Sequence, residues 1–343
     1  MQAPIVPRQG KGPMTSTRLN SGACQERRLT LAVSGWEIPA ALTLPASGAP
    51  ASAILLIPGS LFSDVNGDYP AWNLRPHVYA HLARQLSTRG HAVYRYAKMG
   101  PGTGSVAVNQ AESERVKSWP GRVVVARAAL AAMRAALSDS GDAPLPTVLA
   151  GHSEGAVVAS LLATGPDVAP LDGVALLSGP SLGILGIMRE QVGSFLPPGT
   201  DLDAARADFD AGAAFVRRGE AIPPELESRP SLRGLVGVGR AGQAYLAACD
   251  ASDPCAAAAR IAAPVLIVQG GRDGSVPPHH AERLRAARSG RPTESLFVPE
   301  LTHMYKVVPE GVSGMEAFGL EGETDARVTD GIDAWIRKLP AGR

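Results

Sequence analysis

Cysteine is nearly absent. Cys24, Cys249 and Cys255 are the three in 343 residues, too few and too scattered for a disulfide framework or a cysteine-built zinc site. A Cys249–Cys255 pair and two free thiols both remain open. Net charge is just as scarce: Lys+Arg 33 against Asp+Glu 32 leave +1, which provides no electrostatic footprint for nucleic acid or an anionic membrane. A small neutral molecule fits better as the partner. No apolar run approaches the ~18 residues of a membrane span. The Gly-, Pro- and polar-rich start, MQAPIVPRQGKGPMTSTRLN, lacks the apolar stretch of a secretory signal. Residues 1–25 read as a flexible leader, and the expectation is a cytoplasmic enzyme with no stable membrane association. H-E-x-x-H and similar spacings are missing too, so neither a metal nor another cofactor is expected.

What is present is core. Hydrophobic residues make up 45% of the chain, enough for one large domain or two modest ones. Apolar runs broken by Ser34-Gly35 predict an antiparallel hairpin over residues 28–44. Strands and helices then alternate: strand 53–58, helix 74–89, strand 91–96, helix 122–137, strand 146–151, helix 154–163 and strand 173–179. The alternation resumes with strand 264–271, helix 278–288, strand 295–300 and a last helix near 325–339. Such a series predicts a mostly parallel, doubly wound α/β sheet. Its core is set at residues 26–179 and 263–343, with residues 180–262 inserted as a helical cap and residues 105–120 as a polar loop.

Gly151-His152-Ser153-Glu154-Gly155 fits G-x-S-x-G, with the buried strand TVLA leading in and the small-residue helix AVVASLLA leading out. A strained strand-to-helix turn between glycines pushes a serine hydroxyl out above the sheet. That hydroxyl is a poor nucleophile at neutral pH, so it needs a base, and the base needs an orienting partner. Asp273, beyond strand PVLIVQ, and His303, after SLFVPE, stand on the rim of the sheet at the carboxyl ends of strands. Ser153, His303 and Asp273 are therefore the candidate nucleophile, base and orienter. Alternatives are Asp273 as a mere turn former, Glu300 as the carboxylate, and His279 or His280 as the base. His152 and Glu154 read as packing and loop-stabilising residues. Backbone amides of Ser60 and Glu154 are the candidate oxyanion donors, with Leu61 next to Ser60 as the neighbouring choice. Gly237-Val238-Gly239-Arg240-Ala241-Gly242 fits G-x-G-x-x-G, but no strand precedes it. Gly100-Pro101-Gly102-Thr103-Gly104 lacks the Lys-Ser/Thr of a phosphate loop and reads as slack in a loop beside the site.

ILLIPGSLFSDVNGD, GHAVYRYAKMGPGTGS, AGHSEGAVVASLLA, MREQV, APVLIVQGGRDGSVPP and LTHMY together resemble the serine aminopeptidase and EstD-like esterase group of the α/β-hydrolases, over residues from about 28 to 340. The resemblance implies the α/β-hydrolase fold and carboxylesterase-like hydrolysis of an acyl substrate through an acyl-enzyme. It also implies Ser153, Asp273 and His303 as triad, Ser60 and Glu154 as oxyanion donors, and no cofactor. This chain departs from the group at Ala97 and Met99, where relatives carry Asp and Arg. An aminopeptidase, amidase or thioesterase of the same fold is the nearest alternative, with Asp201, Asp203 and Glu225 as carboxylates for a substrate ammonium. An acyltransferase would use the same acyl-enzyme. A silent ligand-binding member is the alternative of another class.

Overall fold

The run Ser52–Ile57 is apolar at nearly every position, as a strand covered on both faces must be. In the computed structural model, which describes residues 19–21, 23–138, 145–166, 168–312 and 314–340, this run is a central strand of a ten-stranded sheet. The strands are β1 Leu19–Ser21, β2 Cys24–Val33, β3 Trp36–Pro45, β4 Ser52–Ile57, β5 His91–Tyr96, β6 Val106–Ala107, β7 Thr147–His152, β8 Gly173–Leu177, β9 Val265–Gly270 and β10 Thr293–Val298. Their spatial order is β1-β2-β3-β5-β4-β7-β8-β9-β10, with β6 on β3. From β5 to β10 every pairing is parallel, while β1 to β3 and the β3–β5 contact are antiparallel. This is the α/β-hydrolase fold.

Because side chains of a strand alternate between faces, each buried strand feeds two cores. Leu55 and Ile57 enter one apolar cluster while Ile54 and Leu56 enter the other. Val265 and Ile267 likewise part from Leu266 and Val268. Helices Trp119–Ser138 and Glu154–Ala163 cover the first face, and helices Val78–Thr88 and Ala326–Ile336 the second. A third cluster, built from Leu185, Phe209, Val216, Leu232 and Leu235 among others, belongs to the segment between β8 and β9. Among the described residues no helix is long and apolar enough to cross a membrane.

Four boundaries differ from the sequence expectation. Leu19–Ser21 pairs with β2, so the leader drawn over residues 1–25 runs into the sheet at its end, and the residues before 19 lie outside the described ones. The expected loop 105–120 holds β6 and a helical turn at Gln110–Ser113. The following helix starts at Trp119, with Pro120 in its first turn where a missing N–H costs nothing. The helix drawn from residue 74 starts at Val78, since Pro76 and a left-handed His77 (φ 52°) precede it. Helix Pro254–Arg260, drawn inside the cap, packs against helices Glu154–Ala163 and His279–Ala287 of the core layer. Its Ala-rich face gives no hint of that side, because alanines suit either layer.

Leu55 is fully buried between β5 and β7. Leu55→Ala should lower stability by about 2–5 kcal/mol, seen as a lower urea midpoint at unchanged slope. A midpoint within error of the parent would contradict the packing described.

Candidate active site

β7 ends in a turn that only glycine can flank. A Cβ on Gly151 would stand 2.1 Å from the Gly155 carbonyl oxygen, and one on Gly155 would stand 2.3 Å from that of Ile57. Between them Ser153 takes φ 56° and ψ −125°, a conformation non-glycine residues rarely adopt. Its amide is anchored to the Leu177 carbonyl of β8. Helix Glu154–Ala163 starts at the next residue, so the Glu154 N–H is one of the first-turn amides without an intrahelical acceptor.

Asp273 and His303 come together on the same rim. His303 Nδ1 donates to Asp273 Oδ2 at 2.8 Å, and the pair is almost wholly buried. The other carboxylate oxygen accepts the Ser275 and Val276 amides at 3.0 and 2.8 Å. Burial alone would raise this carboxyl. The charge and hydrogen bond of His303 and the Val276 amide outweigh it and hold the group below its ordinary value. With Nδ1 committed to Asp273, Nε2 is the nitrogen left for a proton in flight. Ser153, Asp273 and His303 all line one cavity. Among the described residues no hydrogen bond closes between Ser153 Oγ and the imidazole, a bond that commonly tightens only when substrate is bound.

His152 does more than pack. Its Nε2 faces the His303 carbonyl oxygen at 3.0 Å, an acceptor only, so Nε2 carries the proton. Nδ1 therefore accepts from the Tyr79 hydroxyl at 3.2 Å, and that hydroxyl in turn accepts the Gly59 N–H at 2.8 Å. One continuous chain thus ties the loop after β4 to the loop that carries His303. It also consumes the Gly59 amide. Ser60, next along, makes no hydrogen bond among the described residues and lines the cavity beside Ser153, and Leu61 sits there with φ 65°.

Behind the elbow lies an ionic cluster that sequence reasoning missed. Glu154 Oε1 accepts Lys98 Nζ at 3.1 Å, Arg122 Nε at 3.2 Å and the Tyr245 hydroxyl at 3.3 Å. Arg122 also donates to the Pro58 carbonyl at 2.8 Å. Burial, then the neighbouring Arg122, push Lys98 down to about 8. Burial works against the Glu154 charge as well, yet Lys98 and Arg122 keep its carboxyl below the ordinary value. The loop after β5, helix Trp119–Ser138 and cap helix Gly239–Asp250 meet at this one carboxylate of the elbow helix. No local signal announces it, since Tyr245 is 91 residues from Glu154.

The alternatives fall elsewhere. Glu300 pairs with Arg327 at the surface. His279 and His280 do not line the cavity and instead converge on Glu190 of the cap, ligand atoms within 4.8 Å of one another. The Ser181 N–H donates to His280 Nδ1 at 3.1 Å, so His280 turns a proton, not a lone pair, toward Glu190 Oε2 at 2.9 Å. This trio is a cap-to-core latch, continued by Gln191 Nε2 on the Ser275 carbonyl at 2.7 Å. Gly237–Gly242 forms a helix–turn–helix junction of the cap, with Gly239 at φ 63°, and no strand leads into it. The Gly100–Gly104 loop lies beside the cavity, where a Cβ on Gly100 would strike the Phe62 ring at 2.2 Å. Cys249 and Cys255 are free thiols.

The strand order, the serine at the elbow and the Asp–His pair on the rim define an α/β-hydrolase. A sequence model of the alpha/beta hydrolase family matches residues 54–310, and the chain belongs to that family. It is 26% identical over 309 residues to the esterase EstD of Thermotoga maritima, a match that covers 88% of this chain and 66% of that protein, just under two thirds of its length. Among solved structures it is similar to the proline iminopeptidase of Mycobacterium smegmatis (TM-score 0.53, 14% identity, 91% of this chain and 98% of that one). It is also similar to Est1E of Butyrivibrio proteoclasticus (TM-score 0.51, 14% identity, again 91% and 98%).

Burial, and next the charge of His303, hold the His152 ring down to about 3 against an ordinary 6.5. The unfolded chain thus takes up this proton near 6.5 and the folded chain only near 3. The stability His152 contributes is full above pH 6.5 and is lost as pH falls through that window. Over that range the parent should lose up to about 1.4 kcal/mol per pH unit more than His152→Gln. Urea midpoints measured from neutral pH down to mildly acid pH check this, and parallel profiles would contradict it.

Proposed function

We propose that the chain is a serine hydrolase that cleaves carboxylic esters through an acyl-enzyme. The observation that carries the reading is the buried 2.8 Å bond from His303 Nδ1 to Asp273, facing the cavity into which the strained Ser153 turn also opens. His303 Nε2 takes the Ser153 proton as the hydroxyl attacks the acyl carbon. Amides of Ser60 and Glu154 receive the oxyanion, the first unbonded among the described residues and the second at a helix N-terminus. The protonated imidazole then gives its proton to the leaving alcohol. Water, activated by the same nitrogen, releases the acid.

The charges of the cavity favour esters over N-terminal amides. Capture of a substrate ammonium needs an uncommitted carboxylate, but the acids among the lining residues are Glu154 and Asp273, and both are paired with cationic or imidazole partners. Asp201, Asp203 and Glu225 are not among the residues that line it. The name of the Thermotoga relative agrees with an esterase reading.

Ser153→Ala should abolish turnover of p-nitrophenyl esters and labelling by a fluorophosphonate while leaving the circular dichroism spectrum unchanged. Retained turnover would remove Ser153 from the chemistry. Asp273→Asn should lower kcat by about four orders of magnitude, since it favours the wrong imidazole tautomer. A loss of tenfold or less would show that another group orients His303.

A further inference from the structure

The cavity at Ser153 is far larger than hydrolysis of a short ester requires. Its volume is about 2060 Å³, against roughly 300–1,000 Å³ for an ordinary small-molecule site. It runs from the loops around Ser153 into the cap, where Ile184, Ile187, Met188, Phe209, Val238 and Leu246 line it. These are apolar, and among the cap residues lining it Arg233 is the charged one. A second group of apolar residues, Leu61, Phe62, Trp72, Val106 and Phe195, also lines it while remaining between 44% and 64% exposed. Leaving that much aromatic and aliphatic surface in water is unfavourable unless something apolar covers it. Nothing about transfer of an acetyl or butyryl group would use it.

We propose that the acyl group this site takes is a long apolar chain, which lies along the cap side of the cavity and covers the apolar rim. The proposal rests on the hydrolase reading above and adds the class of substrate to it. It also accounts for the glycine-rich run Gly237–Gly242 without a nucleotide. Gly237, Ala241 and Gly242 all line the cavity; Gly242 is small because a Cβ there would meet Val238 at 2.5 Å, while Gly237 leaves space. At Gly237 nothing lies within 4 Å of where a Cβ would stand, so that wall faces open space. Gly237 closes a short helix, Arg233–Gly237, at negative φ, where a side chain costs no backbone strain.

The test is a series of p-nitrophenyl esters from acetate to laurate, assayed below their micelle concentrations, with fluorophosphonate labelling of Ser153 as an independent readout. A methylene fully buried is worth about fourfold in kcat/KM. Even partial burial should put laurate at least about a hundredfold above butyrate. Gly237→Phe should shift the preferred chain length downward by several carbons and lower the laurate-to-butyrate ratio at least tenfold. A labelled enzyme with kcat/KM highest for acetate or butyrate would overturn the long-chain proposal and leave the hydrolase reading standing. A long-chain preference that Gly237→Phe leaves in place would overturn the placement of the chain along the cap side. Failure of both labelling and turnover would overturn the hydrolase reading and the proposal with it.

Discussion

The whole rim is organised by the crowding of backbone against backbone around Ser153. Gly151 must approach Gly155, and Gly155 must approach the end of β4, so closely that neither can carry a side chain. A serine held at positive φ between them carries of order 1–3 kcal/mol of strain, which persists only because its surroundings leave no alternative. β7 is buried along its whole length and paired on both sides, by β4 and β8. The Ser153 amide is itself bonded to β8. Packing energy from two apolar cores thereby holds one half-buried serine at the wall of the cavity.

The loops that complete the site have no such rigid backing, and polar chains supply it instead. The sequence of bonds from Gly59 through Tyr79 and His152 to the His303 carbonyl fixes two loops relative to each other with neutral groups, which are less costly to bury than ions. The opposite choice is made under Glu154. There a carboxylate is buried with two cations and a phenol. Loss of one partner would strand the others, so the arrangement is worth more for registering the elbow, the loop after β4 and the cap than for net stability. Arg122 links the two systems, because its second nitrogen holds the Pro58 carbonyl just before Gly59.

This division explains what could be read from the chain. Continuous apolar runs such as AILLI and VLIV give away buried parallel strands, and the elbow is local enough to be spelled in five residues. Asp273 and His303 are legible because each follows directly on a strand whose end faces the site. Tyr79 is not. It lies on a helix, 73 residues from the His152 it bonds, and looks like any buried aromatic. Lys98 and Arg122 are misleading for a different reason: charged side chains ordinarily mark solvent, and these are buried by a partner that the sequence does not place beside them. The cap was the least legible part, since its helices pack mostly on one another and the edge at Pro254–Arg260 is set by which neighbour an alanine face happens to meet.

The cap also shows why the site needs fastening from two directions. Cap helix Ile184–Gln191 is bound through Glu190 and Gln191 to the segment after Asp273, while helix Gly239–Asp250 is bound through Tyr245 to the elbow itself. Between those two attachments the cavity runs under the cap, lined by apolar side chains such as Ile187, Met188 and Leu246 together with small residues at Gly237 and Ala241. The cap packs on a small apolar cluster of its own, but that packing does not attach it to the core. The polar attachments at its two ends keep it beside Ser153 without filling the space. On the proposed reading, specificity and positioning fall to different chemistry: apolar walls for what enters, and buried hydrogen bonds for where Ser153, His303 and Asp273 stand.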